Sequence, residues 1–172
     1  MTLTKLKNTL LSLLFLYLPG SSIHAEDIKL LSLGDALPTI NYINQFDKPA
    51  PIPNGTEKIL FISDMDASKI THPLFLKEGD DYLLKFKTII ISDINRMPSL
   101  ISKFVAIPKM REYPYTLRLI REEKIGDPFP RTKGLVTCIE LKADLITKIE
   151  FHDTEQTVRN FIENSPNTKL KK

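Results

Sequence analysis

Two short apolar runs constrain this chain more than anything else in it: Ile59-Leu60-Phe61-Ile62 within residues 58–63 and Ile89-Ile90-Ile91 within residues 88–91. Neither alternates with polar residues, and a strand that is apolar at every position needs both faces of its sheet covered. A polar turn closes each run, Ser63-Asp64-Met65-Asp66 after the first and Ser92-Asp93 after the second, and a helix-compatible stretch follows each turn. Strand, helix, strand, helix implies a parallel pair with a right-handed crossover, so both runs are expected in the interior of an α/β sheet.

The first helix is expected from about Ser68, capped by Asp66 or Ser68, to about Lys77, with Gly79 breaking it and residues 82–86 adding another turn or two. In the second, Pro98 suits the first turn, Leu100, Ile101, Phe104 and Val105 recur on one stripe, and Pro108 is the expected stop. Residues 115–120 alternate as a third strand. Residues 134–141 and 145–151 read as a hairpin joined through Lys142-Ala143-Asp144. The last element is a helix with Asp153 as cap, Gln156 three residues on, and Val158, Phe161 and Ile162 facing inward.

Upstream, residues 26–55 are rich in turn formers. Ile40, Tyr42 and Phe46 are separated by polar residues and Asp47-Lys48-Pro49 suits a turn, which predicts a short hairpin or extended arm; Pro49, Pro51 and Pro53 keep the link to the core extended. The expected organisation is therefore an arm at 26–55, a core at 56–163 and a polar tail at 164–172.

Residues 1–25 have the pattern of a secretory signal: Lys5 and Lys7, an apolar run over 10–18, and a small-residue exit ending at Ala25. Nine apolar residues fall short of the roughly 20 that span a bilayer, so cleavage after Ala25 and a periplasmic location are expected, with no membrane span afterwards. Of 24 basic residues the segment takes Lys5 and Lys7, leaving 22 against 21 acidic ones, and that balance offers no electrostatic case for nucleic acid. With one cysteine, Cys138, no internal disulfide can form, so stability rests on the core that a 42% hydrophobic composition can supply.

The element order, together with three stretches, resembles the thioredoxin-like fold of exported thiol-disulfide reductases and peroxiredoxins. Residues 33–38 (LGDALP) with 45–49 (QFDKP) are similar to the family's G-D-x-x-P opening; residues 58–63 sit where its first core strand does; residues 134–151 and the following helix resemble its closing β-β-α unit. The resemblance implies a central mixed sheet flanked by helices, with an N-terminal hairpin extension. It also places the family's Cys-x-x-Cys, or its peroxidatic cysteine, in residues 64–70, which contain no cysteine, and its cis-proline in residues 133–137, which read KGLVT. The whole looks most like uncharacterised exported thioredoxin-like proteins of Gram-negative bacteria that lack the redox cysteines.

Loops at the carboxyl ends of parallel strands are where α/β folds place their sites. The candidate binding face is therefore made of three loops, carrying Asp64, Asp66, Ser68 and Lys69; Asn95 and Arg96; and Lys133 and Thr137. A periplasmic protein or small ligand is the expected partner. Asp64 and Asp66 are read as helix caps, a role that Asn fills about as well. His72 and His152 fall in different elements without metal-site spacing, and no dinucleotide, Walker or α/β-hydrolase motif occurs, so no metal and no cofactor is expected. The alternative is a thiol-dependent oxidoreductase or peroxidase acting through Cys138, although a thiol in an apolar strand is more often a small core residue.

Overall fold

The computed structural model describes residues 28–164, so the signal-like segment and most of the basic tail lie outside the described residues. Five strands form one sheet in the order β3-β2-β1-β4-β5. They are β1 (Lys58–Ile62), β2 (Thr88–Asp93), β3 (Leu117–Ile120), β4 (Val136–Lys142) and β5 (Leu145–His152). The two apolar runs pair in parallel, Ile59 beside Ile89 and Phe61 beside Ile91, and β3 continues the parallel set. On the other side of β1 the hairpin is antiparallel, with Leu60 beside Cys138. Ala143 and Asp144 form its two-residue turn, both at positive φ (50° and 63°), as a right-twisting hairpin requires, so β4 runs one residue further than the sequence predicts.

Each central strand divides its side chains between two cores. Leu60, Ile62, Ile90 and Cys138 face helices α1 (Met65–Lys85) and α4 (Glu155–Glu163), where Leu74, Phe75, Val158 and Ile162 meet them. Ile59, Phe61, Ile91 and Ile139 face the opposite way, onto Tyr42, Phe129 and the partly buried Leu37 and Ile40. The second face is thus covered largely by irregular chain. Each fully buried Ile, Leu or Phe is worth roughly 1.5–3 kcal/mol, and both faces are needed to sequester every position of β1.

The arm that supplies this cover crosses from one flank of the sheet to the other. Ala36 bridges Leu145 of β5, Ile43 bridges Leu119 of β3, and Ile43 and Pro49 close the expected short hairpin. Gln45, buried, braces the arm by donating to the Tyr115 carbonyl (2.8 Å) and accepting from the Leu117 amide (3.0 Å).

Three helix boundaries differ from expectation, each for a local reason. Helix α1 starts at Met65 because Asp64, in extended conformation, accepts from the amides of Asp66 and Ala67. Gly79 (φ 69°, ψ −167°) does interrupt it, and the chain resumes helix through Lys85. The second helical segment does not stop at Pro108: α2 (Ser99–Ile101) passes through a π-helical stretch (Ser102–Ala106) into α3 (Ile107–Met110). Pro108 falls just after that π-helical stretch, whose altered hydrogen-bond ladder coincides with the place where a proline cannot donate. In α4 the cap is Thr154, one residue beyond Asp153, with its hydroxyl accepting from the Thr157 amide.

Candidate functional site

Between the carboxyl ends of β1 and β2, the start of α1 and the α2–α3 segment lies a cleft of about 830 Å³. Asp64 forms one corner. Its Oδ1 accepts from the amides of Asp66 (3.0 Å) and Ala67 (2.9 Å), while its Oδ2 accepts from the amide of Gly134 (2.9 Å), so a single carboxylate fixes both the helix start and the loop before β4. Gly134 has φ 77°, a conformation that suits glycine.

A second carboxylate organises the end of β2. Asp93, whose side chain is fully buried, accepts from the side-chain amide of Asn95 at Oδ1 (2.7 Å) and from Arg131 at Oδ2 (3.0 Å). The same guanidinium donates to the carbonyl of Gly126 and lies 5.2 Å from the centre of the Phe61 ring, which itself stacks on Phe129 at 4.6 Å. A Cβ at Gly126 would overlap the Asp93 carboxylate, which is why the loop can close over this pair only with glycine there.

The predicted face divides in two. Asp64, Ser68, Arg96 and Lys133 line the cleft. Asp66 and Lys69 instead pair with each other at 2.8 Å on the exposed outer side of the first turn. The Lys69 hydrogen bond holds the Asp66 carboxyl below the usual carboxylate range, and Asp66 in turn raises Lys69. Asn95 is turned back onto Asp93. Thr137 is buried, its hydroxyl donating to the Pro130 carbonyl (2.8 Å), because the strand periodicity that put it near the site points it into the protein.

The cleft also contains residues that the sequence reading passed over. Leu100, Ile101, Phe104 and Val105, read as one helical stripe, are all exposed; Ile101 and Val105 line the cleft, and Ile107, Met110 and Tyr113 make the contact with the core. Met65, Met97 and Met110 line it as well. Two of them fall in the stretches just after the apolar runs, a placement visible in the sequence. Lys109 adds a cation from the far wall.

His72 sits behind this wall. Its ring lies 4.3 Å from that of Tyr113, and its Nδ1 is 2.8 Å from the Tyr115 hydroxyl. Burial pushes His72 down, with help from the charge of Lys109, and pushes Tyr115 up, which favours a hydrogen bond between a neutral imidazole and a neutral phenol, its direction set by the imidazole tautomer. Among the described residues no group of three or more His, Cys, Asp or Glu side chains is arranged to hold a metal ion. Cys138 is buried in β4 opposite Leu60, and desolvation raises its thiol far above the ordinary range.

No family model matches the chain, and no curated protein matches its sequence. Its three-dimensional form does have counterparts. A conserved protein of Geobacillus kaustophilus is 13% identical with a TM-score of 0.52, the match covering 83% of this chain and 88% of that one. A Bacteroides thetaiotaomicron protein described as a candidate protein disulfide isomerase is 14% identical with a TM-score of 0.50, covering 78% and 92%. A peroxidoxin of Mycobacterium tuberculosis is 10% identical with a TM-score of 0.50, covering 77% and 94%. At such identities the likeness is one of fold. The chain has the thioredoxin-like fold, with a mixed five-stranded sheet and an N-terminal extension, and with its one cysteine it lacks the redox pair that the fold's thiol-disulfide enzymes carry.

Proposed function

We propose that this chain is an exported thioredoxin-like binding domain that works without thiol chemistry and takes its ligand in the cleft at the carboxyl ends of β1 and β2. One observation carries the reading: the turn where the resemblance puts a cysteine motif is occupied by Asp64, whose two oxygens are used up in holding α1 and the Gly134 loop together beside an open cleft. Binding needs a preformed concave surface of this kind, and pockets of about 300–1,000 Å³ are typical of small-molecule sites. The buried, proton-retaining Cys138 counts against the oxidoreductase alternative, since the thiolate is the nucleophile in such chemistry.

Insulin reduction and peroxide consumption, each measured for the wild type and for Cys138→Ser, test the reading. Turnover that disappears with the thiol overturns it. Export belongs to the same reading and rests on the signal pattern of residues 1–25; among the described residues no helix is long and apolar enough to cross a membrane. Intact-mass measurement on periplasmic protein is expected to give a chain that begins at Glu26. A full-length cytosolic species, or one released only by detergent, would show that export is wrong.

A further inference from the structure

The cleft's lining also bears on the class of its ligand, an inference that rests on the binding-domain reading above. Most of its charged groups are already committed. Asp64 is engaged by three amides, Asp93 by Asn95 and Arg131, and Arg96 by Asp127 at 3.1 Å. Lys109 and Lys133 are different: both line the cleft, and neither has a hydrogen-bond or ion-pair partner among the described residues. The described buried side-chain atoms that lack a partner, on Tyr42, Arg121 and His152, are elsewhere.

Against this small polar demand stands a large apolar one. Met65, Ile101 and Val105 line the cleft while 59%, 46% and 56% exposed, and Met97 and Met110 extend the same surface. Methionine is unbranched and adaptable, so a wall carrying three of them conforms to a flexible chain better than to a rigid ring system. A peptide would bring an amide donor and acceptor at every residue, whereas beyond the two lysines the uncommitted polar side chains of the lining are the hydroxyls of Ser63, Ser68, Ser92 and Tyr113, too few to match an extended backbone. The geometry points to a monomeric long-chain carboxylate: an anionic head held by Lys109 and Lys133, and an unbranched apolar tail laid along the methionine wall.

Titration calorimetry on the purified protein tests this with dodecanoate and decanoate below their micellar concentrations, and with dodecyltrimethylammonium as the same tail on the opposite charge. Dodecanoate is expected to bind, roughly tenfold or more tighter than decanoate for two further methylenes, and the cation is expected not to bind. Lys109→Gln combined with Lys133→Gln should weaken dodecanoate by roughly tenfold while leaving the melting temperature unchanged, since both lysines are exposed. Val105→Asp should weaken it through the tail wall. The proposal is overturned by no binding of dodecanoate, by equal binding of the cation, by indifference to the lysine variants, or by binding only to phosphatidylglycerol vesicles. Capture of an acidic apolar peptide through the same lysines, without dodecanoate binding, would overturn the ligand class and leave the binding-domain reading standing. Cys138-dependent turnover would do the opposite, removing the non-redox reading while a dodecanoate isotherm stood on its own.

Discussion

The carboxylate of Asp64 joins two parts of the chain 70 residues apart, capping α1 through one oxygen and holding the Gly134 amide through the other. Asn can replace only half of that, because its second terminal atom is a donor and would meet the Gly134 N–H donor to donor. Asp64→Asn is therefore expected to cost about 1 kcal/mol, and Asp64→Ala about 2–3 kcal/mol through loss of the cap together with an unsatisfied amide. Asp66→Asn, which removes only an exposed ion pair, should leave stability essentially unchanged. Urea unfolding of the three variants measures this. Wild-type stability in Asp64→Asn would sink the two-sided role.

The Asp93–Arg131 pair gives a second test. With the Asp93 side chain fully buried and that of Arg131 18% exposed, Arg131→Met leaves a buried carboxylate uncompensated and is expected to cost about 3 kcal/mol or more. Gly126→Ala pushes its Cβ into the same carboxylate and should cost about 1–3 kcal/mol. Because both act on one group, the double variant should be less destabilised than the sum of the singles. Strict additivity in denaturant melts would mean that they are independent.

Acid sensitivity should trace in part to His72. Its folded pKa lies below the ordinary histidine value of 6.5, so between the two values the unfolded chain binds the proton that the folded protein resists. The contribution is complete above about pH 6.5 and is lost as pH falls towards and through the folded pKa. His72→Gln should flatten stability against pH over pH 5 to 7.5, followed by urea midpoints. An unchanged slope in the variant would assign the acid loss to other groups.

Cys138 should behave as core. In the native protein at pH 8, alkylation by iodoacetamide is expected to be roughly a thousandfold slower or more than in denaturant, because β4 must open before the thiol is reachable. Labelling at the denatured rate under native conditions would contradict its burial.

The sheet was legible in the sequence because its signals are local. Uninterrupted runs at 59–62 and 89–91 are satisfied in a covered parallel sheet, and the structure pairs them in parallel, while the closing hairpin was read separately from residues 134–151. The site was only half legible. Asp64, Ser68, Arg96 and Lys133 were found because strand ends predict the loops, but which side of a loop a residue takes depends on contacts distant in sequence. Thr137 turned inward, and Asp66 took Lys69 in place of the cleft. The stripe of Leu100, Ile101, Phe104 and Val105 looked like a core face because periodicity reports amphipathicity and not which face meets the protein. The pairing of Asp93 with Arg131, 38 residues on, has no local signal at all.

The arm that crosses the second face sets an order of events for the chain as it is made. Its anchors are Leu119, whose amide donates to the Ile43 carbonyl, and Ile146, whose amide donates to the Asp35 carbonyl across 111 positions of sequence. The first described residues to be made are thus among the last to be fully seated, since Ile43 waits for β3 and Asp35 for β5. Until then the face of Phe61, Ile91 and Ile139 lacks the cover of Leu37, Ile40 and Tyr42 and has chiefly Phe129 against it. A chain built this way completes its second core late, by contacts of long reach, and contacts of that kind close more slowly than local ones.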